Sequence, residues 1–455
     1  MSKVQLADQS GIESPEADGG TNRYDYILVG GGLQSGLIAL ALKHYQPEAS
    51  LLIIERSGEL GGNHTWSFHP ADVPGDAAAW VTPLVEHRWD SYSINLKNNA
   101  INVDLQYAAI SSEKFRSVLY RDLKVVNASC DTSRHGKSDL SSSGVNRRSG
   151  DQVTEEDSCH GKSAEVICHS NVISLSQNLV RTECGNEFFG KVVIDNRGPS
   201  RSESTYKQCG FQKFFGFEIE LYSDWPKSTP TIMDDRIDQS DGFRFMYTLP
   251  FDRRRVLVED TRFSNSPTID REECFEKLKE YLTLKGISKW SVLREESGVL
   301  PMPISSENFP RSGETLSGGY SGGWFHAATG YSFPMAVAFA NAIATTSPEQ
   351  AKSAVKALAA EHRWRGKYAR FLNRLLFCLV KPKARYQIFR RFYRVLSPAA
   401  ISRFYAHQFS FLDAFRIVVG IPPSGLRPLQ FVRSFFPEKQ LGFSKNVSLS
   451  KECHS

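Results

Sequence analysis

The sequence predicts an α/β protein, α+β overall, in which a doubly wound dinucleotide-binding half joins an antiparallel sheet and a C-terminal helical region. Three stretches carry that expectation. Residues 24–55 read as strand, glycine turn, helix and strand. Residues 210–261 are strand-rich, and within them 217–221 and 243–248 alternate with the period of two that marks half-buried strands. Residues 362–434 carry helical periodicity and hold 15 Lys and Arg against one acid, Asp413.

The first stretch organises the rest. An apolar run, Tyr26 to Val29, leads into Gly30, Gly31 and Gly32, then a helix from Leu33 to about His44, then a second apolar run from Leu51 to Ile54 that ends in Glu55. Gly30 permits the tight turn. Gly32 lets backbone approach a pyrophosphate seated on the helix N-terminus, and Glu55 stands where an acid accepts a ribose hydroxyl. This is a Rossmann-type unit with one departure: Ser35 takes the sixth motif position and Gly36 follows it, and Gly30, Gly31, Gly32 and Gly36 are the glycines expected to contact the cofactor. Gly61 and Gly62 form a second close approach for a bound cofactor, with His64 and Trp66 just beyond as candidates to face its ring.

Further along, 91–96 and 100–105 alternate as strands, and 111–123 reads as a helix capped by Ser111 or Ser112. Residues 130–164 are rich in Ser, Gly and charge, lack aromatic residues, and predict a flexible insertion. The strand 191–194 runs into Asp195-Asn196-Arg197-Gly198 and belongs to the dinucleotide sheet. Residues 243–248 and 255–261 form a hairpin with Phe243, Phe245 and Tyr247 on one side; a turn centred near Asp252 sets Glu259 opposite Phe245. Residues 271–284 predict a helix. The glycine-rich approach 317–330 leads to a helix near Pro334, which packs on the first unit, with Gly330 aimed at the cofactor. The domain boundaries that follow are 1–22 tail, 23–205 dinucleotide-binding domain, 206–300 antiparallel substrate domain, 301–345 return to the first domain, 346–435 basic helical region and 436–455 tail.

Charge and cysteine usage narrow the partners. The chain carries +5 overall while 362–434 alone carries +14, so the remainder is acidic. Phe371, Leu372, Leu375, Leu376 and Leu379 form an apolar stripe flanked by Arg370, Arg374, Lys381 and Lys383, which suits an anionic membrane surface better than nucleic acid. The eight cysteines include no CxxC pair, which points to reduced thiols and no metal site, Cys159-His160 and Cys168-His169 lacking ligand spacing. No apolar run reaches membrane-spanning length.

Taken together, GGGLQSG, GGNHTW, PTIMDDRIDQSDGFRFMYTLP, VLVEDTRF, LREESGVLP and FHAATGYSFP occur in order and resemble the bacterial lycopene β-cyclase family. The resemblance runs from about residue 24 to 428, interrupted by the 130–164 insertion. It implies FAD as cofactor, active in its reduced form with NAD(P)H as reductant, and lycopene or other acyclic carotenoids as substrate. It implies cyclisation of acyclic ends to β-ionone rings without net redox change, by a cytoplasmic protein on the inner membrane face and in contact with other carotenoid enzymes. In VLVEDTRF the essential acid of the family falls on Glu259. The reaction needs a proton donor, negative charge or π-faces around a cation, and a base. Glu259 is the first catalytic candidate and Asp234 the second, with Phe243, Phe245 and Tyr247 as substrate-facing rings. Glu295 and Glu296 suit either the flavin edge or solvent. The competing reading is a related flavin monooxygenase or prenyl reductase.

Overall fold

The computed structural model describes residues 22–127, 163–198, 209–305, 315–420 and 422–435. The expected tail 1–22 (apart from Asn22), the 130–164 insertion (apart from its last two residues) and the tail 436–455 lie outside the described residues.

In chain order the first half comprises β1 (Arg23–Val29), α1 (Leu33–Tyr45), β2 (Leu51–Ile54), β3 (Thr65–Phe68), α2 (Ala78–Val81), β4 (His87–Trp89), β5 (Tyr92–Leu96), β6 (Asn99–Val103), β7 (Tyr107–Ser111), α3 (Ser112–Asp122), β8 (Val126–Asn127), β9 (Glu165–Ile167), β10 (Val172–Leu175), β11 (Leu179–Thr182) and β12 (Glu187–Asp195). The second half adds β13 (Cys209–Leu221), β14 (Thr231–Asp234), β15 (Phe243–Pro250), β16 (Arg255–Ser264), α4 (Arg271–Leu284), β17 (Trp290–Pro303), β18 (Leu316–Ser317) and α5 (Phe333–Ala344). The chain closes with α6 (Ala351–Arg374), α7 (Tyr386–Val395), α8 (Pro398–Tyr405), α9 (Phe411–Val418) and α10 (Pro428–Arg433).

The first sheet has the order β10-β11-β12-β1-β2-β9-β8, with β18 paired to β12. Its centre is parallel: β1 lies between β12 and β2. Tyr26, Ile27 and Leu28 are fully buried because helices and strands cover both faces, as parallel strands require. α1 is buried from Gln34 to Leu42, enclosed by α3 and α5. Gly36 makes that enclosure possible: a Cβ there would meet Phe115 Cζ at 2.4 Å. This glycine therefore serves helix packing against α3, which corrects the expectation that it contacts a cofactor.

The second sheet runs β17-β13-β16-β15-β14-β5-β6. The β5–β6 hairpin belongs here through the parallel pairing of β5 with β14, which corrects its expected place in the 23–205 domain; local alternation says nothing about which distant strand a hairpin joins. In the β15–β16 hairpin Tyr247 pairs with Glu259 and Phe245 with Thr261. The expected pairing of Glu259 with Phe245 was off by two residues. A two-residue slip preserves which face each side chain occupies, so Glu259 and the ring residues still share one. α4 covers the other face, burying Cys274, Leu278, Tyr281 and Leu282 against Val256, Val258, Phe217 and Ile219.

A third, small sheet, β3-β7-β4, bridges the two halves. The C-terminal helices α7 and α8 pack on the uncovered face of the second sheet, with Phe389 stacked on Phe243 at 5.0 Å. α6 ends in a π-turn, Leu375–Leu379, before the break at Pro382. The expected apolar stripe is mostly turned inward: Leu376 is in the core and Leu372 is partly buried against another cluster. Part of the basic charge is also internal. Arg385 is fully buried and donates to the carbonyls of Leu376 (3.1 Å) and Phe263 (2.7 Å). Cys168, Cys274 and Cys378 carry free thiols; Cys184 is disulfide-bonded, a departure from the all-reduced expectation.

Candidate active site

The second sheet and the small bridging sheet enclose a cavity of about 180 Å³. From the second sheet come Gln212, Phe214, Phe245, Tyr247, Leu249, Leu257 and Glu259; from the bridging strands Thr65, Ser67, His69 and Tyr107; from the C-terminal helices Phe389 and Tyr405. Strand periodicity explains the selection, since 245, 247 and 249 share a face, as do 257 and 259, and 65, 67 and 69. Most of the wall is apolar or aromatic, with a few convergent polar groups.

Three adjacent strands set the most telling geometry. Gly216 of β13 pairs with Glu259 on one side and with Glu296 of β17 on the other. A Cβ at Gly216 would lie 2.9 Å from Glu259 Cγ and 3.1 Å from Glu296 Cγ. The missing side chain thus leaves the space in which two carboxyl groups meet. Glu296 is held from the far side: its Oε2 accepts from Arg294 Nη1 at 2.7 Å and from Thr65 Oγ1 at 3.0 Å. Arg294 also donates to Glu218 (3.1 Å), to Asn63 (3.0 Å) and to Thr65 (2.8 Å), tying this strand to the loop of the first domain. Glu259 lines the cavity and is half-buried. Burial, then the charge of Glu296 and a hydrogen bond to it, hold its carboxyl well above the usual range, and Arg294 offsets this only in part. Glu259 is therefore an acid shifted towards its un-ionised form, in a largely apolar and aromatic cavity. Beside it, Tyr247 OH lies 2.7 Å from Ser67 Oγ and 3.2 Å from Tyr107 OH.

The other sequence candidates divide. Phe245 and Tyr247 line the cavity. Phe243 does not; it stands behind Phe245 at a ring separation of 5.4 Å. Asp234 is turned to the opposite face, where it accepts from Arg236 (2.6 Å), Tyr281 (2.9 Å) and Lys285 (3.1 Å). Burial would raise its pKa, but Arg236 and Lys285 outweigh that and bring it down to about 2. An acid fixed as a carboxylate away from the cavity cannot protonate anything there, so Asp234 is withdrawn. Glu295 pairs with Arg271 at the surface, at 2.9 Å.

Comparison with known proteins gives the family of the chain. A family model described as lycopene cyclase protein matches residues 25–140 and 141–429. The chain belongs to the lycopene cyclase family. Curated proteins named lycopene beta-cyclase are similar to it: that of Pantoea ananas is 33% identical over 405 residues, covering 88% of this chain and 95% of the relative. That of Pseudescherichia vulneris is 34% identical over 412 residues, covering 88% and 94%. Among solved structures, a geranylgeranyl bacteriochlorophyll reductase-like protein of Thermoplasma acidophilum aligns with a TM-score of 0.52 at 12% identity, over 87% of this chain and 96% of its own. The p-nitrophenol 4-monooxygenase PnpA of Pseudomonas putida gives 0.51 at 13% identity, over 86% and 96%. These likenesses show that the chain shares its α/β fold with both proteins.

The first domain of this cyclase-family chain fits a flavin dinucleotide. Gly30 has φ +98° and Gly32 caps α1 with nothing within 4 Å of an added Cβ, so backbone N–H groups at the helix N-terminus face open space. The first turn of α1 carries no acid to repel a phosphate. Glu55 accepts from Gly31 N at 2.5 Å and from Ser57 N at 2.7 Å, which fixes the carboxylate at the end of β2 with lone pairs to spare. Gly31 itself lies against Leu60, and Gly61 N donates to Gly31 O at 2.8 Å, so this second glycine turn closes on the first. Gly62 is open. His64 is exposed and edge-on to Phe214 at 6.4 Å; Trp66 turns away to pack on Phe115 at 5.2 Å. Gly330, with φ +69°, sits against Leu300 and Gln212 between two cavity-lining residues, Thr329 and Tyr331.

Sequence reasoning missed Glu296 as the partner of Glu259 and missed His69 altogether. One signal existed for the latter: Thr65, Ser67 and His69 set three polar residues on one strand face beside the glycine turn.

Proposed function

We propose that the protein is a lycopene β-cyclase that converts the acyclic ends of lycopene to β-ionone rings with bound, reduced FAD and no net redox change. The observation that carries this reading is Glu259, a carboxyl kept protonated by burial and a neighbouring acid, in an aromatic cavity with room for one end of a polyene. Glu259 donates its proton to the terminal alkene. The internal double bond attacks the tertiary cation so formed and closes the ring. Phe245, Tyr247 and Tyr107 present π-faces and phenol dipoles to the cation, and the ionised Glu259 left behind attracts it across a water-poor space. Loss of a ring proton ends the sequence. Reduced flavin, when bound, supplies further negative charge to the site; Gly30, Gly32, Glu55, Gly62 and Gly330 are the residues that would hold it, with NAD(P)H as the source of electrons.

Such a substrate resides in a bilayer. Among the described residues no helix is long and apolar enough to cross one, so docking at an anionic membrane surface is the remaining route. The face best suited is on α9 and α10, where Phe411 is 75% and Leu429 77% exposed, accompanied by Leu412, Phe415 and Val432. Arg416 and Arg433 stand among them. Salt-sensitive binding to anionic vesicles that Phe415→Asp and Leu429→Asp abolish would support this face; unaltered binding would remove it.

The deciding experiment is product analysis after expression in a lycopene-accumulating host. β-Carotene or γ-carotene is expected, with no NAD(P)H consumed per ring. Reductant consumed stoichiometrically with product would instead favour a flavin monooxygenase or prenyl reductase.

A further inference from the structure

Cyclisation needs a base as well as an acid, and the base decides which ring forms. Besides Glu259, the cavity wall holds His69, which is paired with Asp72 and which the acid step leaves unused. His69 lines the cavity and is otherwise buried, at 1% exposure. Its Nδ1 lies 3.0 Å from Asp72 Oδ2. That contact places the ring proton on Nδ1 and makes Nε2 the acceptor atom, with the Tyr92 hydroxyl 3.4 Å from it. Asp72 is itself fixed by Ser402, whose hydroxyl donates at 2.5 Å. The backbone N–H of His69 donates to Tyr331 OH at 3.0 Å, which anchors the residue at the end of β3. Three of the rings around the imidazole also line the cavity: Tyr107 at 5.2 Å, Tyr405 at 5.3 Å and Tyr331 at 6.5 Å. An imidazole oriented by a carboxylate and surrounded by phenol rings combines a proton acceptor with cation-stabilising π-faces.

We infer that His69 is the base that removes the ring proton, with Asp72 as its positioning residue. The inference rests on the cyclase reading above. After ring closure the cation is centred on the methyl-bearing ring carbon. Three neighbouring positions can lose a proton: the ring carbon bonded to the polyene, giving the β ring; the ring methylene, giving the ε ring; and the methyl group, giving an exocyclic alkene. In each case the C–H electron pair becomes the new double bond. The proton goes to His69 Nε2, matching the one Glu259 delivered, so no oxidant or reductant is consumed. A base held at one place on the wall selects one of the three protons; His69 is thus the residue that sets ring type.

The test compares His69→Gln and Asp72→Asn with wild type in the FAD-loaded protein. Three readouts are taken: ring isomers formed, rate, and the isotope effect with lycopene deuterated at the carbon that loses its proton. His69→Gln is expected to slow β-ring formation about 10²-fold or more. It should also bring ε or exocyclic isomers into the product and expose an isotope effect that wild type lacks; Asp72→Asn should show the same changes in weaker form. A residue that only supports the fold would move neither isomer ratio nor isotope effect. Wild-type rate and product in His69→Gln would overturn the inference. So would loss of bound FAD or soluble protein in both variants, which would make the pair a structural clasp. A wild-type protein that forms no rings would instead sink the cyclase reading itself.

Discussion

Glu259 and Asp260 are consecutive on one strand, yet the two faces of the sheet treat them as opposites. On the cavity face Glu259 meets another acid across the gap at Gly216, and burial with like charge keeps it protonated. On the covered face Asp260 accepts from Arg244 Nε at 2.9 Å and from Arg262 Nη2 at 3.1 Å, with Glu273 closing the network through Arg244 at 2.7 Å. Burial alone would raise Asp260 too, but Arg244 and Arg262 outweigh it and hold the carboxyl below its ordinary value. Asp234 repeats the pattern with Arg236 and Lys285. Desolvation is common to all three acids; the partner decides whether a buried carboxyl becomes a proton donor or a structural anion.

The sharpest break of this comparison exchanges an acid for its amide on each face. Glu259→Gln keeps size but cannot give a proton, so cyclisation should fall by about 10²–10⁴-fold, with FAD still bound and the protein folded. Asp260→Asn should do the reverse. Leaving Arg244 and Arg262 without their shared anion costs about 3–5 kcal/mol of stability, read as a lowered denaturation midpoint, while protein that remains folded keeps its turnover. Equal loss of turnover in both variants without change in stability would erase the distinction between the faces.

The Glu259 pair also fixes the sign of a pH effect. A carboxyl raised by folding stays protonated in the folded chain while the unfolded chain has already ionised. Its contribution to stability is whole below the ordinary carboxyl value and is lost as pH rises towards the raised one. Activity should decline over the alkaline part of that window, as Glu259 ionises. Glu296→Gln removes the neighbouring charge and should lower the Glu259 pKa, moving the alkaline limb of the rate profile to lower pH by about one unit or more, the size of shift that a nearby like charge produces. An unmoved limb would show that burial alone sets Glu259.

What the sequence disclosed follows the range of each interaction. The β1–α1–β2 unit was legible because its strand, turn, helix and acid are contiguous, and helix 271–284 was legible as a local segment, which the structure shows capped by Asp270. Membership of β5 in the second sheet was not, because the pairing with β14 joins residues far apart in the chain. The hairpin register slipped because the turn is a wide one, with Phe251 N bonded to Arg255 O at 2.9 Å rather than a two-residue tight turn. Glu259 was found through its family motif; Glu296 stayed hidden because its contact needs two registers at once, β13 on β16 and β13 on β17. The exposure expected of the 371–379 apolar stripe failed for a related reason. Helical periodicity marks an apolar stripe in the 371–379 segment, but tertiary packing consumes it and leaves the shorter α9 and α10 uncovered.

The smallest expected effect isolates that double register. Gly216→Ala adds one methyl on the cavity face alone, where its Cβ would stand 2.9 Å and 3.1 Å from the two Cγ atoms of Glu259 and Glu296. Both side chains must give way by a few tenths of an ångström, and such overpacking costs about 1–3 kcal/mol. The carboxyl groups part, and both the contact between them and the charge of Glu296 act on Glu259 more weakly. Every one of these changes lowers the Glu259 pKa. The alkaline limb should therefore move in the same direction as in Glu296→Gln but less far, with a rate loss of only a few-fold. The Arg244–Asp260 network lies on the other face and receives no new atom, so the stability lost should be less than in Asp260→Asn. A limb shifted to higher pH would mean that the methyl deepens burial more than it separates the acids, and the gap at Gly216 would then be a packing feature rather than the opening through which the two carboxyl groups meet.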